Sequence, residues 1–95
     1  MSIPHLLVHN KLDNVGVVVV EGVEAGTDLL AVVTEDNSDF TITTQHDIPI
    51  GHKIALSDFT EGDTVIKYGV DIGRIVQNTN KGEHIHTHNL KTTRW

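Results

Sequence analysis

Three histidines at alternating positions, His84, His86 and His88, stand in the stretch Gly82-Glu83-His84-Ile85-His86-Thr87-His88-Asn89. Successive side chains of a strand point to opposite faces, so an extended run here puts the three imidazoles on one face and Ile85 and Thr87 on the other. Neighbours in that row would stand about 6.5 to 7 Å apart along the strand. Imidazole gains and loses its proton near neutral pH, and its free nitrogen is a common metal ligand. A row of three therefore suits proton transfer, a small anion or a divalent ion. The competing reading is a solvated edge strand rich in histidine, and the shared face of all three tips the balance to function. A metal on His84 and His86 needs a third or fourth ligand, from His52 or from a partner chain.

A second group is Gly51-His52-Lys53, where an imidazole and an ammonium directly follow a glycine whose bare backbone a ligand can approach. Both side chains suit a carboxylate, sulfonate or phosphate; as plain surface residues they would be a turn cap and a solvated amine. A third candidate is Lys67, in a stretch where Gly69 and Gly73 mark a hairpin. The hairpin alone accounts for most of that pattern. No acid–base pair linked by spacing, nucleophile elbow or phosphate-cradling glycine loop is present. With no cysteine, thiol nucleophiles, disulfides and zinc ribbons are excluded as well. The chain does not carry a complete catalytic set of its own.

What positions these groups must be one small domain, residues 1–95, because a chain of this length has room for a single core. The formal charge is −6, and the seven Lys and Arg are scattered, which argues against a phosphate-tracking nucleic-acid surface. Met1 to His5 shows no charged leader ahead of an apolar core, and no apolar run nears the roughly 20 residues that span a bilayer. A cytoplasmic protein away from membranes is the default expectation.

The elements read as short strands. Leu6-Leu7-Val8 is a candidate strand, followed by a turn at Asp13-Asn14. Val15 to Val20, β-branched and apolar without alternation apart from Gly16, suits a central strand buried on both faces. Leu29 to Val33 and Phe40 to Thr44, separated by the polar Glu35-Asp36-Asn37-Ser38-Asp39, read as a hairpin. Gln45 to Lys53 reads as a loop with Pro49 and Gly51, and Ile54-Ala55-Leu56 resumes extension. Ser57-Asp58 is placed to cap a single helical turn. Gly26, Gly62 and Gly82 each precede two mostly polar residues and an aliphatic one, a repeated turn-then-strand unit. The expectation is an irregular all-β domain with at most one or two helical turns, and exposed apolar edges predict weak self-association.

Asp47 to Leu56, Gly62 to Gly69 with Ile72-Gly73, and Gly82 to Asn89 together resemble the SAF domain of the altronate and galactarate dehydratase family, and Asp13 to Val17 resembles its first strand. The resemblance implies a β-clip fold. It also implies an enzyme that eliminates water or a related leaving group from hydroxy acids with a divalent metal, often iron, which the large chain holds in whole or in part. The sugar-acid dehydratases carry a catalytic region of several hundred residues after this domain, which the present sequence lacks. Family members split into a small SAF subunit and a large catalytic subunit include the sulfolactate sulfo-lyases, and Lys91-Thr92-Thr93-Arg94-Trp95 is similar to the tail of their small subunit. The implied role is a small lyase subunit, inactive alone. It would donate His84, His86 and His88 as catalytic groups and His52, Lys53, Lys67 and Asn89 as substrate-binding groups to a site that the large chain completes. The other readings are the SAF part of an altronate- or galactarate-type dehydratase, a binding module for an acidic carbohydrate, and a purely structural subunit.

Overall fold

The computed structural model describes residues 3–92. The tail similarity at residues 93–95 lies outside them. Nine strands follow in order: β1 Leu6–Val8, β2 Val15–Val18, β3 Asp28–Val33, β4 Ser38–Thr43, β5 Lys53–Ala55, β6 Thr64–Lys67, β7 Val70–Ile75, β8 His84–Ile85 and β9 Leu90–Thr92. Among the described residues there is no helix, and so none long and apolar enough to cross a membrane. The all-β expectation holds. The capped helical turn at Ser57-Asp58 does not form: the chain bends there, and Asp58 accepts a hydrogen bond from the distant Lys81 amide at 2.8 Å.

The strands make a six-stranded sheet, β4-β3-β1-β2-β5-β8, and a three-stranded one, β6-β7-β9. All pairs are antiparallel except β1 with β3. The run from Val15 sits at the centre of the larger sheet, between β1 and β5. Alternation sends its side chains both ways: Val18 joins Leu6, Leu29 and Ile54 in one apolar cluster, while Val15 joins Ala55, Val65 and Ile85 in the other. That two-sided burial is why this strand reads as continuous rather than alternating.

Four times the chain passes a bridge residue, turns at a glycine and enters a strand. The units are Val23 to Gly26 before β3, Ile48 to Gly51 before β5, Phe59 to Gly62 before β6, and Thr79 to Gly82 before β8. Their glycines have φ of 84°, 86°, 96° and 88°. In each, the residue after the glycine donates to the carbonyl three positions back, as Thr27, His52, Asp63 and Glu83 do. Positive φ at the third turn position is open to glycine at no steric cost. Bridges Val23↔Ile48 and Phe59↔Thr79 join the units in two pairs. Three of these units are the repeat read from the sequence; the Ile48 to Gly51 unit lies in the stretch expected to be a loop.

The expected row of three alternating histidines is broken. β8 ends at Ile85, and residues 86–89 turn. The buried Asn89 side chain causes this: its Oδ1 accepts from the His86 amide at 2.9 Å, and its Nδ2 donates to the His84 carbonyl at 2.9 Å and to Thr79 Oγ1 at 3.1 Å. Those bonds offer the backbone partners that a continuing strand would otherwise have to find.

Candidate functional site

Two of the glycine turns deliver the site. The second ends on His52 and leads into β5, and the fourth leads through Glu83 into His84 of β8. β5 and β8 pair antiparallel with Ile54 opposite His84 and Lys53 opposite Ile85, a register that brings His52 beside His86. The His52 and His86 rings stack with centroids 4.0 Å apart. His52 Nδ1 lies 2.8 Å from His84 Nε2, so one ring donates and the other accepts and the pair cannot hold two protons at that contact. His88 stands on the turn with its ring 5.2 Å from that of His84. The three strand-spaced histidines thus do gather, but around His52 and by way of a turn.

His46 completes the group and has no motif to announce it, 38 positions before His84 in a polar loop. The Gln45 amide donates to the Gly82 carbonyl at 2.8 Å, which lays this loop on the fourth turn. His46 Nδ1 accepts from the His84 amide at 3.2 Å, leaving the proton on Nε2, which faces Glu83 Oε2 at 3.5 Å. An open cleft of about 170 Å³ lies here, lined among others by His46, Glu83, His84 and His88.

Burial, followed by the charges of His52, His88, His86 and His46, pushes the pKa of His84 from 6.5 down to about 4. His86 is lowered too, by burial and by His52 and Lys53. Lys53, half-buried on β5, is lowered by burial and by Lys67. Lys67 on β6 has its ammonium 5.3 Å from the Tyr68 ring. Lys53 opens β5 directly after His52, and Lys67 lies on β6 of the smaller sheet. Asn89 is placed differently from an open ligand group: it is buried, and its amide holds the turn that presents His86.

The unfolded chain binds the His84 proton more tightly than the folded one, so between pH 6.5 and about 4 the unfolded state holds more protons. Stability that is complete above pH 6.5 should therefore fall as pH drops through this window. For chelator-treated protein, Tm measured from pH 7.5 to 4 should decline, and His84→Gln should flatten the decline. An identical slope in that variant would assign it to other groups.

The donor set fits a divalent ion. Ring nitrogens of His52, His84 and His86 all lie within 4.8 Å of one another. An ion bound at about 2.1 Å to each requires nitrogens about 3.0 to 3.4 Å apart, and the His52 Nδ1–His84 Nε2 pair, at 2.8 Å, is already near that range. His88 lies outside this set.

Residues 4–93 match the model for the altronate/galactarate dehydratase SAF domain. The chain is 54% identical over 89 residues to (2R)-sulfolactate sulfo-lyase subunit alpha of Chromohalobacter salexigens, covering 94% of this chain and 95% of that one. It is 60% identical over 67 residues to the protein of the same name from Paracoccus pantotrophus, covering 70% of this chain and all of that one. Altronate dehydratase of Escherichia coli is 42% identical over 83 residues, which are 87% of this chain but 15% of that enzyme. On the family match and these identities, the chain belongs to the SAF-domain family of the altronate and galactarate dehydratases.

Proposed function

We propose that this chain is the small subunit of a two-subunit lyase that eliminates sulfite from sulfolactate to give pyruvate, acting with a large catalytic chain. The observation that carries the reading is the cluster of His52, His84 and His86 on a chain similar along nearly its whole length to a sulfo-lyase alpha subunit. The reaction removes the proton beside the carboxylate; that electron pair forms the carbon–carbon double bond, the carbon–sulfur bond breaks with its pair leaving as sulfite, and the enol becomes pyruvate.

His52, His84 and His86 would hold a divalent ion, and the family resemblance implies iron. When bound, it would supply Lewis acidity to a hydroxyl or carboxylate oxygen of the substrate. His88, outside the three-nitrogen set and on the cleft, accepts the proton on a ring nitrogen. Lys53 and Lys67 offset the substrate's negative charges. Asn89 and His46 position this machinery, one through the 86–89 turn and the other through the His84 amide. The large chain closes the site, and the small chain alone is silent.

The test is co-expression of this chain with the large chain, then assay of sulfolactate beside altronate and galactarate. Sulfite and pyruvate released in equal amounts, only when both chains are present, is the expected result. Dehydration of altronate or galactarate without sulfite release would replace this reading with the sugar-acid one.

A further inference from the structure

The β6–β7 hairpin turns on Tyr68 and Gly69, both with positive φ, 57° and 70°. Two-residue turns of this kind favour Asn, Asp or Gly at both central positions, and a bulky side chain there strains the backbone. Tyr68 is nevertheless 60% exposed, so burial in its own chain does not explain it. Its ring stacks on His9 with centroids 3.8 Å apart. Backbone at such a cost is kept where the presented side chain is used.

The tip is also held rigid. Asp13, nearly buried, accepts hydrogen bonds from the amides of Tyr68, Gly69 and Asn10 at 3.0, 2.8 and 3.2 Å. That carboxylate fastens the hairpin tip to the loop carrying Leu12, which is 75% exposed, and Val70 beside the turn is 53% exposed. A rigid aromatic with aliphatic neighbours is the composition of an interface anchor.

We propose that Tyr68, with Leu12 and Val70, is the seat on which the large lyase chain docks, through an apolar socket on that chain. This rests on the two-subunit reading above. The identity of the occupant follows from two features. In the Escherichia coli altronate dehydratase the matching segment is 15% of a longer chain, so related domains exist joined to a much larger remainder. The seat is also continuous with the histidine-bearing strand, since Val65 on β6, the strand that leads into Tyr68, and Ile85 on β8 share one apolar cluster. A body resting on Tyr68 and extending toward that strand reaches the histidines and can screen them from water.

The experiment measures binding of the separately purified large chain to the wild-type small chain and to Tyr68→Asn and Leu12→Asp, with Thr41→Asp on the exposed face of β4 as control. Tyr68→Asn suits the turn better than tyrosine does, so its Tm should be unchanged or higher. Its Kd for the large chain should nonetheless rise by about 30-fold or more, the loss expected of an anchoring aromatic. Leu12→Asp should weaken binding as well, and Thr41→Asp should not. Wild-type affinity in folded Tyr68→Asn overturns the proposal, as does absence of binding by the wild-type chain. So does a Tyr68→Asn effect confined to self-association of the small chain, measured by sedimentation. If the wild-type complex forms through Tyr68 yet releases no sulfite, the docking surface stands and the sulfo-lyase reading falls.

Discussion

Replacing His88 by alanine in the assembled lyase is expected to lower turnover by about 10²- to 10⁴-fold, the usual contribution of a positioned acid or base. His88 is outside the three-nitrogen set, so its variant should keep its metal content. His84→Ala should lose at least as much activity and lose bound metal with it, because His84 contacts His52 at 2.8 Å and supplies one of three donors. His52→Ala and His86→Ala should follow the second pattern. The two readouts, turnover and metal per complex, separate a proton carrier from a ligand. Near-normal turnover in all four variants would place the chemistry entirely in the large chain.

The second large effect concerns the fold. Gly82 holds φ of +88°, and a side chain built there would run into the Thr43 carbonyl, with the Gln45 Cγ only 3.3 Å away. Gly82→Val combines a left-handed backbone, about 1 to 2 kcal/mol, with overpacking of about 1 to 3 kcal/mol. A loss of about 3 kcal/mol would lower Tm by about 12 to 24 °C in a domain of this size. Gly51 has φ of +86° but open space around the position, so Gly51→Val should suffer the backbone cost alone, about 1 to 2 kcal/mol. Thermal melts of both variants check the order. Equal losses would mean that the Thr43 contact relaxes freely.

The outcome at each glycine illustrates what could be read from the residues alone. Gly26, Gly62 and Gly82 signalled turns because the turn is a local property of four residues, and the hairpin of β3 and β4 was legible through its polar connection for the same reason. The central strand announced itself by lacking alternation. The pairing of β5 with β8 had no such signature, since it depends on which distant edges meet. The sequence marks His52 through Gly51 and Lys53 beside it, and carries no sign of its place beside His86. The alternation His84-Ile85-His86-Thr87-His88 imitates a strand, and the local pattern lost to one buried amide, that of Asn89. His46 entered through a loop resting on Gly82, a contact between residues far apart in sequence.

The strand that carries His84 is two residues long and lies at the margin of the six-stranded sheet. Short marginal segments open more readily than the sheet they border, and hydrogen exchange at their amides reports that partial opening and not global unfolding. Anything bridging His52, at the entry to β5, to His84 on β8 acts as a clasp across the seam. A ligand at one hundred times its Kd adds about 2.7 kcal/mol to the closed form. The amides of His84 and Ile85, which exchange through that partial opening, should therefore slow by about 100-fold when the site is filled at that concentration. Occupancy of the site and fastening of the last strand of the sheet are, in this architecture, a single event.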